Sequence, residues 1–371
     1  MTLHYDVVVI GGGPAGASTA YHLASRGVRV LVVDRAHFPR DKACGDMVSQ
    51  FALDQLHEIG LSDLVAAHTP KPLWQANFGA PSGWEMKHSV KTRSLWATIP
   101  RLILDDAVLS QARQAGAEVL ERVTVSGIHV DAKGVQLRAQ GIQDNTIEAR
   151  LVVVAVGSSG ALVPTQPSLF ALRGYFSRLA GEADLILKWN RDLTPGYLWQ
   201  FLIDETKTNI GIYTTRAQAQ AMKINERLLS SSIVKGKELI GALRGGLVNT
   251  SFRRKSIAHG DRLLYVGDAA GLVQPHLGEG IAPALQSGKL AAEIGKKALE
   301  NDRLTAHNLA LYTRRLHHTL DNQIAISRFL FCTMRHPRLF ELIARPAALT
   351  HSELFRLLAL ISPSHAPRSP Q

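Results

Sequence analysis

The residues best suited to a specific chemistry are the glycines of a short turn near the start of the chain. The sequence GGGPAG at residues 11–16 follows a continuous apolar run, which is typical of a buried parallel strand. Gly11 would permit the tight turn, Gly13 would let backbone amides approach a pyrophosphate, and Gly16 would let a helix pack closely on the strand. The spacing therefore predicts a nucleotide-binding strand–turn–helix unit.

The residues that flank this turn favour a dinucleotide without a 2′-phosphate. A helix that begins at Pro14 and Ala15 would present unpaired N–H groups and its dipole to the phosphates. Asp34 ends the second apolar strand and can bind the hydroxyl pair of a ribose, with Arg35 beside it in the same predicted site. Because a carboxylate here disfavours a 2′-phosphate, we expect an NAD-like or FAD-like nucleotide.

A second glycine-punctuated stretch, at residues 262–293, favours FAD over NAD. Asp268 at the end of a predicted strand would accept hydrogen bonds from a polyol, and Gly278 and Gly280 would let the backbone lie against a flat ring system. A helix predicted from about Glu279 would favour an anionic reduced flavin. NAD needs no such second site, so we expect FAD to contact Gly267, Asp268, Gly278, Gly280 and Ile281.

Four segments of the chain, in the same order, resemble one flavoprotein family. VGDAAGLVQPHLGEGI at 266–281 is similar to the ribityl-binding motif of para-hydroxybenzoate hydroxylase-like flavoproteins, and more narrowly to the geranylgeranyl reductase family. FPRDKACGD at 38–46, ALRGYFS at 171–177 and YLWQFLI at 197–203 resemble further segments of that family. The resemblance implies an α/β fold: a Rossmann-like FAD-binding domain with an inserted antiparallel-sheet substrate domain and C-terminal helices.

The resemblance also implies where the rest of the nucleotide would lie. Residues 101–123 predict an amphipathic helix, with apolar positions at Leu102, Leu109 and Ala112, followed by a strand. In the family, an arginine at the start of this helix approaches the FAD diphosphate, which implies that role for Arg101. The strand residue near Val123 would lie beside the adenine.

Cys44 is one of two cysteines and is followed by Gly45. In the family this loop passes along one face of the isoalloxazine, so both residues are expected to contact the flavin. Three interpretations of Cys44 stay open: a polarizable residue packed near the ring, a group that positions the reacting carbon, or a redox thiol without a nearby resolving cysteine. Arg40 is expected to make one phosphate or substrate contact, and Cys332 is predicted to lie in the core.

An aromatic strand is predicted to form the substrate wall. Tyr197, Trp199 and Phe201 alternate along one strand face and, with Gly211 and Tyr213, correspond to the substrate motif of the family. Plain core packing is the alternative interpretation.

Two positions depart from the family pattern. Tyr213 replaces a glycine, which predicts a smaller or differently placed substrate than a long isoprenoid in a tunnel. Val156 replaces an aspartate that hydroxylases of this class use in handling NAD(P)H, which weakens the case for an NADPH-driven hydroxylase.

The predicted domains are interleaved along the sequence. Residues 1–72, 95–165 and 256–300 would form the FAD-binding domain, and residues 73–94 and 166–255 the substrate sheet. Residues 301–360 predict a C-terminal helical region, and residues 361–371 a tail.

Composition limits the classes of binding partner and the cellular compartment that we expect for this protein. The 371-residue chain is 46% hydrophobic and 20% charged, which is typical of a folded protein, and its formal net charge is +11. That charge favours an anionic partner, including an acidic carrier protein that bears the substrate, but no nucleic-acid module or metal site is recognisable. Two cysteines, no signal peptide and no apolar stretch of membrane-spanning length predict a cytoplasmic protein, with peripheral membrane contact left open.

These features predict an FAD-dependent oxidoreductase that acts on an apolar or conjugated small organic molecule. The leading hypothesis is hydride transfer from flavin N5 to a C=C bond, or the reverse dehydrogenation, with Cys44, His276 or Tyr197 supplying the proton. A structural role for His276 remains the alternative. A monooxygenase or halogenase that uses a flavin hydroperoxide, and a flavin-binding interaction module without turnover, also remain open. Electrons would come from NAD(P)H that visits transiently or from a separate reductase.

Overall fold

The computed structural model describes residues 3–69, 73–91, 96–143, 145–158, 160–253 and 255–342. Residues 343–360 of the predicted helical region and the predicted tail at 361–371 lie outside the described residues. Within the described ranges the strands are β1 (Leu3–Ile10), β2 (Val30–Asp34), β3 (Met47–Ser49), β4 (Leu73–Gly79), β5 (Glu85–Lys91), β6 (Trp96–Thr98), β7 (Glu118–Glu121), β8 (Thr124–Val130), β9 (Val135–Gln140), β10 (Thr146–Val154), β11 (Leu169–Ser177), β12 (Leu185–Lys188), β13 (Tyr197–Leu202), β14 (Lys207–Thr215), β15 (Leu239–Val248), β16 (His259–Gly260) and β17 (Leu263–Tyr265).

The helices alternate with the strands of the first half and then dominate the end of the chain. They are α1 (Pro14–Ala24), α2 (Gln50–Glu58), α3 (Ser62–His68), α4 (Arg101–Gln114), α5 (Arg216–Ala221), α6 (Ile224–Leu229), the 3₁₀ helix Gly267–Ala270, α7 (Ile281–Glu300) and α8 (Ala306–Met334). A further helical segment begins at Pro337. The proline interrupts the helical run because it lacks an N–H group and its ring clashes with the preceding turn.

A mixed sheet that is parallel at its centre holds the nucleotide-binding turn. Its central order is β16-β17-β10-β1-β2-β7, with β9 pairing to the other end of β10 and β8 to β9. Strand β1 runs parallel to both β2 and β10, and the apolar residues of all three strands are buried. Helices α1, α4 and α7 share one hydrophobic core with this sheet. The close approach of α1 and α7 needs Gly288, where a Cβ would lie 2.5 Å from the Ala15 carbonyl oxygen.

A second sheet supplies the aromatic residues. Its order is β15-β11-β14-β13-β12-β4-β5, antiparallel except for the parallel pair β12–β4. Alternation along β13 directs Tyr197, Trp199 and Phe201 to one side, where they share a core cluster with Phe331 and Met334 of α8. Leu198 lies on the other side, with the apolar residues of α6.

The α/β fold predicted from the sequence is confirmed, with the Rossmann-like sheet, the antiparallel second sheet and the C-terminal helices in place. The strands of the second sheet come from residues 73–91 and 169–248, while the domain boundaries themselves stay a prediction.

Two smaller expectations were wrong. Leu102 is 45% exposed, because the buried side of α4 is formed by Leu104, Val108, Leu109 and Ala112. Cys332 is exposed, because it lies on the outward side of α8 rather than in the core.

Candidate active site

A cavity of about 440 Å³ lies where the two sheets meet. The segment 42–49, the ends of β2 and β10 and the loop before α7 form one side, and β11 to β15 form the other. The predicted site residues that line it are Pro14, Arg35, Cys44, Gly45, Arg101, Tyr197, Trp199, Phe201, Tyr213, Asp268, Gly278, Gly280 and Ile281. The remaining predicted site residues are not part of its lining: Gly11, Gly13, Ala15, Gly16, Asp34, Arg40, Val123, Gly211, Gly267 and His276.

The glycine turn is built so that two of its positions accept no side chain. Gly11 has a φ of +109°, and a Cβ there would lie 2.4 Å from the Ala155 carbonyl oxygen. A Cβ on Gly16 would lie 1.8 Å from the carbonyl oxygen of Gly11. The turn therefore keeps its backbone amides close to the start of α1, as a pyrophosphate site requires.

Asp34 fastens this turn to the end of β2. Its Oδ2 accepts a hydrogen bond from the Gly12 N–H at 2.7 Å, and its Oδ1 accepts one from the Ala36 N–H at 2.8 Å. The buried Val123 lies alongside, and its N–H donates to the Asp34 carbonyl oxygen at 2.9 Å. The structure thus brings the predicted ribose-binding acid and the predicted adenine neighbour together.

Two arginines share a single carboxylate beside the turn. The buried Arg101 donates from Nε and Nη2 to the two oxygens of Asp105, at 2.6 and 2.7 Å. Arg40 Nη1 lies 3.1 Å from the same carboxylate, and a Cβ on Gly13 would lie 3.2 Å from Arg40 Nη2. One carboxylate neutralises one of two guanidinium charges, so positive charge is left over next to the turn. This cluster fits the diphosphate of a bound FAD.

The loop after β17 fits the other half of the nucleotide. Asp268 accepts a hydrogen bond from the Ser158 hydroxyl at 2.7 Å and lies 3.7 Å from Lys42 Nζ. Gly278 has a φ of +69°, and a Cβ on Gly280 would lie 3.3 Å from Asp268 Oδ1. At these two glycines the backbone carries no side chain next to the Asp268 carboxyl group, which fits a flavin ring with its ribityl chain.

Cys44 and Gly45 pack directly on the aromatic strand. A Cβ on Gly45 would lie 2.8 Å from the Phe201 ring, so backbone and ring are already in contact. The Cys44 Sγ accepts a hydrogen bond from the Asp46 N–H at 3.3 Å, and the Cys44 carbonyl accepts one from Asn209 Nδ2 at 2.8 Å. Burial raises the pKa of the Cys44 thiol. A protonated thiol is a poor nucleophile, so this environment disfavours the redox interpretation.

Two tyrosines tie the aromatic wall to the loop before α7. The Tyr197 hydroxyl donates to the Leu277 carbonyl at 2.6 Å, and the Tyr213 hydroxyl donates to the Pro275 carbonyl at 2.8 Å. Burial raises the pKa of both phenols, so they stay neutral. Their hydroxyl protons are committed to backbone carbonyls.

Trp199 and Gly211 form a matched pair across β13 and β14. They are directly opposite in register, and a Cβ on Gly211 would lie 2.3 Å from Trp199 Cζ2. Because Gly211 has no side chain, the Trp199 indole can pack against its backbone. Trp199 itself lines the cavity. The Trp199 Nε1–H donates to Asn209 Oδ1 at 3.0 Å, which links the wall to the Cys44 loop.

His276 faces away from the cavity. Its Nδ1 lies 2.8 Å from the Ser327 hydroxyl of α8, and its side chain is fully buried. Burial lowers the pKa of His276 to about 3, so the imidazole is neutral. The structure does not bring this histidine to the residues that line the cavity.

Sequence reasoning missed three polar groups around this site. Glu279 lines the cavity between two glycines of the predicted flavin-binding loop, and Ser49 binds its carboxyl group. Asp46 is fully buried, and burial raises its pKa to about 6. Asn209 donates to Asp46 Oδ2 at 2.9 Å. The position of Glu279 inside the glycine motif was the available signal, whereas Asn209 carried none.

The described residues hold no group of three or more His, Cys, Asp or Glu side chains that could bind a metal ion. Among the same residues, no helix has the length and apolar character needed to cross a bilayer.

Known proteins resemble this chain in sequence and in fold. A family model described as an FAD binding domain matches residues 4–177. A menaquinone reductase of Mycolicibacterium smegmatis is 30% identical, covering 79% of this chain and 77% of that protein. A digeranylgeranylglycerophospholipid reductase of Methanopyrus kandleri is 27% identical, covering 84% and 86%. A geranylgeranyl bacteriochlorophyll reductase-like protein of Thermoplasma acidophilum shares the fold with a TM-score of 0.80, at 20% identity and over 98% of each chain.

Proposed function

Because the chain belongs to the geranylgeranyl reductase-like family of FAD-dependent oxidoreductases, we propose that it reduces a C=C bond of an apolar quinone or isoprenoid substrate. Bound FAD supplies the hydride chemistry. The residues of this chain hold the nucleotide, exclude water and present the double bond. Menaquinone and an unsaturated isoprenoid lipid are the substrate classes that the names of the relatives suggest.

The observation that carries the proposal is that one cavity includes both the flavin-binding loop and the aromatic wall. Gly278 and Gly280 lie on one side of it, and Tyr197, Trp199 and Phe201 lie on the other. An apolar chain between these walls would lose its contact with water and gain contact with aromatic surface. The Cys44–Gly45 backbone, packed on Phe201, would hold the reacting carbons close to the flavin.

Tyr213 would limit how far such a substrate enters. Its ring is fully buried, and its hydroxyl is held by the Pro275 carbonyl. The ring occupies space that a glycine leaves open, so the substrate is proposed to insert one short unsaturated segment. Electrons are proposed to come from NAD(P)H or from a separate reductase.

The test uses the purified holoprotein, reduced anaerobically with dithionite and freed of excess reductant. We expect reduced flavin to persist alone and to reoxidise when menaquinone or a geranylgeranyl lipid is added. The product should stay two hydrogens heavier after exposure to air, because air returns a quinol to the quinone but does not restore a reduced C=C bond. Tyr213→Gly should accept longer unsaturated chains, while Tyr213→Phe keeps the wild-type preference. Flavin that ignores both substrates but yields an oxygenated or halogenated product in air with halide would overturn the proposal in favour of a monooxygenase or halogenase.

A further inference from the structure

Glu279 is the acidic side chain that the described site leaves without a role. It lies between Gly278 and Gly280, the two glycines expected to border the flavin, and it lines the same cavity as the aromatic wall. Ser49, at the end of β3, lines the same cavity, and its hydroxyl donates to Glu279 Oε1. Among the described residues, the Ser49 hydroxyl is the side-chain group that forms a hydrogen bond with the Glu279 carboxyl group.

The two carboxyl groups of the cavity have different surroundings. Asp268 lies 3.7 Å from the Lys42 ammonium and accepts a hydrogen bond from the Ser158 hydroxyl. For Glu279, burial is the dominant influence, and it raises the pKa of that carboxyl group. The hydrogen bond from Ser49 opposes this effect and is the weaker of the two. A carboxyl group whose pKa is raised by burial is a recurring proton donor in acid–base catalysis.

The other ionisable groups that face this cavity do not compete for the same role. The cations and the remaining acids of the lining are Arg35, Lys42, Arg101, Cys44, Tyr197, Tyr213 and Asp268. Arg101 is engaged with Asp105, and Lys42 is next to Asp268. Burial raises the pKa of Cys44, Tyr197 and Tyr213, and both tyrosine hydroxyls donate to backbone carbonyls. Glu279 is therefore the candidate proton donor of the lining, because an uncharged hydroxyl binds its carboxyl group and burial raises its pKa.

Resting on the proposed function, we propose that Glu279 is the catalytic acid that protonates the substrate, with Ser49 as its positioning residue. A hydride from reduced FAD forms a C–H bond at one alkene carbon as the π bond breaks. The electron pair left on the other carbon takes the Glu279 O–H proton, which leaves a carboxylate. Solvent returns a proton to Glu279, so the double bond gains two hydrogens and FAD ends oxidised.

The test compares three variants in single-turnover reduction of menaquinone by the dithionite-reduced holoprotein. Glu279→Gln keeps the shape and the bond to Ser49 but carries no acidic proton, so we expect the rate to fall roughly 10²–10⁴-fold. Ser49→Ala removes the hydrogen bond that favours the carboxylate, so the loss of rate at high pH should move to higher pH. Glu293→Gln, on the helix that follows, is the control and should keep the wild-type rate and pH profile.

A readout without turnover accompanies the kinetics. We expect the infrared spectrum of the oxidised holoprotein to contain a protonated carboxylic C=O band that disappears with rising pH and is absent from Glu279→Gln. If that variant loses FAD, the pH shift of Ser49→Ala decides the question. A wild-type protein that reduces no alkene would remove the proposed function. A wild-type protein that reduces menaquinone, with Glu279→Gln equally fast or the C=O band unchanged, would overturn the role of Glu279 alone.

Discussion

The nucleotide side and the aromatic side of the cavity differ in the kinds of residue that form their surfaces. On the nucleotide side, backbone and small residues form the surface, and an added Cβ at Gly11 or Gly16 would collide with a carbonyl oxygen. On the aromatic side, large rings from β13 and β14 form the surface, held by hydrogen bonds from Tyr197 and Tyr213 to carbonyls of the opposite loop. We therefore expect cofactor binding to depend on backbone shape and substrate selection to depend on the side chains of the aromatic strands.

The largest effect is expected from a methyl group in the nucleotide turn. Gly16→Ala would place a Cβ 1.8 Å from the Gly11 carbonyl oxygen, and backbone cannot move aside as a side chain can. Overpacking of this kind costs about 3 kcal/mol or more, so FAD titrated into the apoprotein should bind at least roughly 100-fold more weakly. Gly246→Ala, on the opposite wall, would meet Ala43 at an ordinary 3.5 Å and should bind FAD like the wild type. If both variants bound FAD equally weakly, the proposed difference between the two sides of the cavity would be contradicted.

A smaller, pH-dependent effect is expected where the two sides meet. Asp46 accepts hydrogen bonds from Tyr175 and Asn209, and burial raises its pKa from 3.8 to about 6. The folded state therefore keeps a proton that the unfolded state releases. This contribution to the free energy of unfolding is complete below pH 4 and is lost as the pH rises through 6, by about 3 kcal/mol in all.

Urea unfolding between pH 4 and pH 7 measures this contribution. Asp46→Asn tolerates the same positive φ of 63° and cannot titrate. Relative to the wild type it should therefore become more stable as the pH rises across that range. A stability difference that stays constant with pH would contradict the assignment.

The smallest effect is expected from one hydroxyl on the aromatic side. Tyr213→Phe leaves the Pro275 carbonyl without its 2.8 Å partner, which should cost about 1–2 kcal/mol of unfolding free energy in urea titrations. Tyr312→Phe is a matched substitution on the nucleotide side, because that hydroxyl donates to the Tyr265 carbonyl at the same distance. Both should lose similar stability and retain FAD. If Tyr213→Phe released FAD and Tyr312→Phe did not, FAD binding would also depend on the aromatic side, which would contradict the proposed division of roles.

Features that depend on local spacing could be predicted from the sequence. They are the turn at residues 11–16, the end of β2 at Asp34 and the alternation along β13. The start of α4 at Arg101 was predicted for the same reason, but its partner Asp105 and the nearby Arg40 were not connected to it. His276 was expected beside the flavin because of its position in the sequence. In the fold it faces Ser327 of α8, fifty-one residues further along the chain.

Sequence spacing was enough to predict the nucleotide half, because the glycine turn and the acid that ends β2 both belong to one short strand–turn–helix–strand unit. The surroundings of the two acids in the cavity follow from the tertiary structure alone. The pKa of a carboxyl group depends on its burial and on nearby cations. The residues that bury it and the cations beside it come from segments far apart in the chain. Asp268 lies beside Lys42, while Glu279 meets an uncharged Ser49 hydroxyl. That difference in surroundings is the basis for proposing Asp268 as a cofactor ligand and Glu279 as a proton donor, although both residues belong to one motif.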